Sequence, residues 1–166
     1  MDTRTQPPYR GTEKETLLGF LQFMRETVVL KCSGLNEQQM RTTSTVSSMT
    51  LLGMVKHLTI VERYWFRGVF LDADVELPWS EEDPDGDWRT NDEDTAEAAL
   101  AEYVAECAKS DQVVNNHDLD ELAKWAISDE ERRSLRWIIT HLIEETSRHC
   151  GHADILRESI DGVTGE

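Results

Sequence analysis

Four side chains toward the C-terminal end of the chain could act on one ligand together. They are His141, Glu145, His149 and His152, within His-Leu-Ile-Glu-Glu-Thr-Ser-Arg-His-Cys-Gly-His. On a helix turning ~100° per residue they fall within an arc of roughly 80°. Trp137, Ile138, Leu142, Ala153, Leu156 and Ile160 share or border that arc, so the four polar groups face a core. Glu144 turns toward solvent instead. A carboxylate among imidazoles in an apolar interior is costly unless it is paired or bound to a metal. Glu145 and His149 stand one helical turn apart, a spacing suited to two ligands of one ion. His57, on the edge of a stripe formed by Met54, Leu58, Val61 and Trp65, offers a third ligand. Two imidazoles and one carboxylate satisfy three positions of a tetrahedral Zn²⁺ and leave the fourth open, as in catalytic sites. Spacing alone leaves an alternative, in which each histidine is a hydrogen-bonded core residue and nothing is bound.

These residues need helices to bring them together, and the sequence provides them. Thr12 followed by Glu15 reads as a capping box. The helix it opens places Leu17, Phe20, Leu21, Met24, Val28 and Leu30 near a 3.6-residue period and stops around Cys32-Ser33-Gly34. A short turn of helix is predicted at 36–40, followed by a Thr/Ser-rich connector over 42–48. The second long helix is predicted from Thr50 to Phe70, with Lys56, Arg63 and Arg67 opposite its apolar stripe. Residues 72–94 form an acidic loop with Pro78, Pro84 and Gly86 that carries Trp79 and Trp88. Loops of that length in compact domains are usually lids or mobile segments, and the tryptophans serve either as anchors or as ligand-facing groups. A third helix is predicted from Thr95 to Val114, and a last one from Ser128–Glu131 to about Ser159. His117, in the polar loop between them, is expected to be exposed. The fold class is therefore all-α, a four-helix bundle with a long loop between its second and third helices, formed by a single domain over residues 1–166.

Composition removes several functions. The 166 residues include 17 Lys and Arg against 33 Asp and Glu, a formal net charge of -16. That charge repels phosphate backbones and anionic lipid, so nucleic acid and membrane surfaces are excluded as partners. No apolar run reaches the length of a membrane span, and the N-terminus lacks the apolar core of a signal peptide. Cys32, Cys107 and Cys150 are an odd number with no CxxC spacing, which reads as reduced thiols in a cytoplasmic protein. Residues 1–11, with Pro7, Pro8 and Gly11, read as a polar arm.

At the site residues the chain resembles the DinB-like superfamily, and more closely its actinobacterial branch of mycothiol-dependent enzymes. The segments that carry the likeness are Gly53-Met-Val-Lys-His57-Leu-Thr-Ile-Val-Glu-Arg-Tyr-Trp65, Leu135 to Asp154, and Leu156-Arg-Glu-Ser-Ile-Asp-Gly162. Many members use three histidines. Here Glu145 replaces one of them, as in the maleylpyruvate isomerase metal-binding domain. The resemblance implies a divalent metal, zinc foremost with nickel as the alternative, on His57, Glu145 and His149. His141 and His152 are then expected beside the ligands or packed nearby. It implies a metal-dependent S-transferase that activates a low-molecular-weight thiol, mycothiol, toward an electrophilic small molecule. The rival readings are a metal-dependent hydrolase and a non-catalytic metal-binding stress protein. A homodimer is compatible with such a bundle.

Overall fold

A computed structural model describes residues 4–165, so the arm read over 1–11 is seen from Arg4 onward and its first three residues lie outside the described residues. The helices are α1 (Glu13–Cys32), the one-turn α2 (Glu37–Met40), α3 (Leu51–Glu62), α4 (Ala96–Asn115) and α5 (Leu135–Asp161). Each of the four long helices opens on a hydroxyl cap. Thr12, Thr50, Thr95 and Ser134 accept from the backbone N–H of Glu15, Gly53, Ala98 and Trp137, satisfying a donor that has no partner within the helix. Thr12 and Glu15 complete the capping box reciprocally. Gly34 and Gly162, which follow α1 and α5, have φ of +75° and +77°, the left-handed region that glycine enters without strain. Among the described residues there is no β-strand, only an isolated bridge between Leu122 and Ser134. No helix there is long and apolar enough to cross a membrane.

The bundle pairs α1 with α5, α3 with α4, and α3 with α5. Leu51, Leu52, Met54, Val55 and Leu58 of α3 fill one half of the core with Tyr103, Ala153 and Leu156. Phe66, Val69, Phe70, Leu135, Ile138, Ile139 and Leu142 fill the other half. The arm lies along α1. The Arg4 guanidinium sits 4.4 Å over the Phe23 ring and donates to Thr27 Oγ1 at 3.0 Å.

Two expectations are corrected. The last helix does not begin at Ser128–Glu131; that segment is a single 3₁₀ turn, Asp129–Glu131, and α5 starts after Ser134. The stretch between them is held by backbone bonds to its surroundings, Ala123 N to Arg133 O and Leu135 N to Glu121 O, which compete with helix. The second long helix has the expected span, yet α3 continues as a π-helix over Arg63–Phe70. The N–H groups of Trp125 and Lys124 donate to the carbonyls of Val69 and Phe70, capping its end from the connection between α4 and α5.

Candidate metal centre

His57 lies midway along α3, and Glu145 and His149 lie midway along α5. Where the two helices pack, the Nε2 atoms of His57 and His149 each stand 3.2 Å from Glu145 Oε1. One ligand atom from each of the three residues can be chosen so that all lie within 4.8 Å of one another. Around a tetrahedral zinc ion with bonds of ordinary length, ligand atoms stand about 3.3 Å apart, so the spacing fits such an ion. The side chains are nearly closed off, 13% exposed for His57, 19% for Glu145 and 8% for His149.

Proton placement strengthens that fit. Asp87 Oδ2 lies 2.6 Å from His57 Nδ1, so the N–H belongs on Nδ1 and donates to the carboxylate. The lone pair of a neutral His57 is then left on Nε2, aimed at the Glu145 oxygen. Two electron-rich atoms facing each other at 3.2 Å require a cation between them, either a proton or a metal ion. His149 meets His152 in the same manner, Nδ1 to Nδ1 at 3.2 Å. Burial, then the neighbouring His57 charge, push the His149 imidazole down to about 4, with Glu145 opposing them. His149 is therefore neutral near pH 7. Burial works to raise the Glu145 carboxyl, but hydrogen bonding and charge from His57 and His149 hold it below its ordinary value.

The 72–94 loop supplies a second tier. Besides Asp87, it lays the Trp88 indole on the His57 ring, with centroids 4.3 Å apart and planes 18° off parallel. Trp88 also meets His149 at 5.2 Å. Gly53 makes this approach feasible, because a Cβ there would stand 2.7 Å from the Trp88 carbonyl oxygen. Lys56 binds the loop from α3, donating to Arg89 O at 2.8 Å and pairing with Asp94 at 2.6 Å. Beside Trp88, a cleft of about 510 Å³ presents Ser47, Ser48, Thr50, Thr90, Asp85 and Arg89.

The other candidates separate. His152 touches His149, whereas His141 belongs to an aromatic group with Trp65 at 4.8 Å and Trp137 at 5.2 Å. His117 is half-buried, against the expectation of exposure, because its ring packs edge-on against Phe70 at 5.1 Å and bonds Glu121 at 2.9 Å. The Cys150 thiol donates to Met24 O at 3.4 Å, and burial pushes it up to about 12, so it is no nucleophile. Asp87 was not found by sequence reasoning. It lies in a loop without periodicity, where Trp79 and Trp88 marked the segment but nothing singled out this carboxylate.

No curated protein matches the chain. A family model described as Mycothiol-S-transferase matches residues 16–162, most of its length. The chain belongs to the mycothiol-S-transferase family.

Proposed function

We propose that the protein is a metal-dependent S-transferase that joins mycothiol to an electrophilic small molecule, with one divalent ion, zinc foremost, on His57, Glu145 and His149. The observation that carries this reading is the Glu145 carboxylate, enclosed in the seam and shared by two imidazole nitrogens at 3.2 Å. Among the described residues it forms no ion pair with Lys or Arg. A divalent ion bound there would lower the pKa of a thiol brought to it, since coordinated thiols deprotonate.

The chain's own residues do the rest. Asp87 holds His57 in the tautomer whose Nε2 can ligate, and His152 does the same for His149. Glu145 offsets part of the added charge, and Trp88 keeps water from one side of His57. The hydroxyl-rich cleft beside Trp88 suits the polar body of a low-molecular-weight thiol. Three free buried thiols suit a reducing compartment, so we place the protein in the cytoplasm, working as a single domain.

The test is to purify the protein, measure bound metal, and assay conjugation of mycothiol to a model electrophile. Thiol-dependent turnover that falls at least a hundredfold in His57→Ala is the expected result. Turnover without added thiol would indicate hydrolysis instead, and conjugation unchanged in His57→Ala would end the proposal.

A further inference from the structure

The two long helices outside the α3–α5 seam are not closed against each other. α1 packs on α5 and α4 packs on α3, and between α1 and α4 runs a cleft of about 520 Å³. Val29 and Leu30 of α1 and Val104 and Ala108 of α4 form apolar walls, with Tyr103 and Cys107 at the floor. That volume lies within the range of small-molecule sites, roughly 300–1,000 Å³. Two features narrow what would fill it. The first is Tyr103, which is 1% exposed and whose hydroxyl, among the described residues, meets no hydrogen-bond partner. Burial raises this phenol well above its ordinary value, so it keeps its proton as a donor. The Cys107 thiol, one turn along α4, offers it only a weak acceptor. Buried hydroxyls left unpaired are costly and rare. The second feature is charge. Arg4 and Arg25 stand at the cleft with Glu26 and Asp111, two charges of each sign. All four are engaged within the protein: Arg25 donates to Glu62 and Asp111, Glu26 accepts from Thr5 and Gln22, and Arg4 donates to Thr27. An ionised ligand would find no counter-charge to spare.

We infer that the α1–α4 cleft is a second binding site, apart from the triad, for a neutral and mostly apolar small molecule whose one hydroxyl or carbonyl oxygen accepts from Tyr103. The walls bury the hydrocarbon body of such a ligand, and its oxygen supplies the partner that the fold does not give the Tyr103 hydroxyl. Nothing in this site depends on the metal or on thiol transfer.

The experiment titrates N-phenyl-1-naphthylamine, a neutral fluorescent probe, into wild type and into Ala108→Trp, which fills the cleft from an exposed position. Ala105→Trp, exposed on the same helix but outside the cleft, is the control. Saturable binding is expected in wild type and in Ala105→Trp, equal with zinc and with chelator, and weakened about tenfold or more in Ala108→Trp. 8-Anilino-1-naphthalenesulfonate, the same skeleton with a sulfonate added, should bind about tenfold more weakly than the neutral probe. Displacement of the probe by 2-naphthol should weaken about fivefold in Tyr103→Phe, the loss of one neutral hydrogen bond, with displacement by 2-methylnaphthalene unchanged. Ligand-free Tyr103→Phe should unfold at the temperature of wild type or above it, since the hydroxyl it removes is unpaired. No saturable binding in wild type, binding that persists in Ala108→Trp or requires zinc, or equal binding of the sulfonated probe overturns the inference. So does 2-naphthol displacement unchanged in Tyr103→Phe, or a lower unfolding temperature for that variant. A wild-type dimer that Ala108→Trp dissociates overturns it as well, because the cleft would then be an interface between copies.

Discussion

The bundle buries carboxylates in two regions, and they are neutralised in opposite ways. Between α1, α3 and α4, Glu62 is 1% exposed and is gripped by Arg25 at 2.7 Å, while Arg25 also pairs with Asp111 at 2.7 Å. About one turn away along α4, the fully buried Glu106 is met by Arg67 at 2.7 Å, Lys109 at 3.0 Å and Arg63 at 3.5 Å. Each of these carboxylates is met by an Arg or Lys side chain. At the α3–α5 seam, Glu145 pairs with two imidazoles, one of them held neutral by burial. The same fold thus sets carboxylates met by Arg and Lys beside one met only by imidazoles. The proposed function follows that difference, with a structural role for the first region and metal binding for the second.

The comparison is broken most severely by removing cations. Arg25→Ala leaves Glu62 buried and unpaired, and is expected to cost about 3–5 kcal/mol in urea unfolding, with or without zinc. Glu145→Gln keeps the shape of a side chain that no Lys or Arg meets, so metal-free stability is expected to change by under about 1 kcal/mol while metal binding is lost. Equal losses in the two variants would erase the distinction.

Acid should act on the seam next. The folded-state pKa of His149 is about 4 against an ordinary 6.5, so the unfolded chain takes up a proton that the folded chain refuses. The contribution is complete above pH about 6.5 and is lost as pH falls toward 4, by about 3 kcal/mol in the metal-free protein. His149→Gln should flatten the stability profile across that window, and a profile unchanged by the substitution would contradict the assignment.

Asp87→Asn is expected to weaken zinc binding roughly 10–100-fold in a chelator competition, the cost of losing a carboxylate behind a ligating histidine. Metal-free unfolding should move far less. The smallest effect is chemical: Cys32 and Cys150, both pushed up to about 12 by burial, should resist alkylation in the folded protein and react after unfolding. Mass spectrometry reads both states.

Legibility in the sequence followed periodicity. His57, Glu145 and His149 lie on regular helices, where residue number fixes direction, so their convergence could be read before any coordinates. The capping box at Thr12 was legible for the same local reason. Asp87 was not, because its contact with His57 depends on a loop path shaped by Gly53, Lys56 and Asp94. His141 and His152 look equivalent on a helical wheel. Only the neighbouring helix separates them, by presenting Trp65 to His141. The π-helical turn over Arg63–Phe70 leaves no mark in the hydrophobic pattern, and tertiary bonds to Trp125 and Lys124 hold its end. Pattern alone starts α5 too early, because Ser128 followed by Glu131 imitates the cap that Ser134 provides.

The most direct measurement is an equilibrium titration of zinc into metal-free protein by calorimetry, with His57→Ala, Glu145→Ala and His149→Ala run beside wild type. One ion per chain is expected in wild type, with saturable binding lost in each variant and proton release at low pH as the imidazoles give up their protons. Zinc binding that is absent in wild type, or that persists unchanged in all three variants, would contradict a cation shared between α3 and α5.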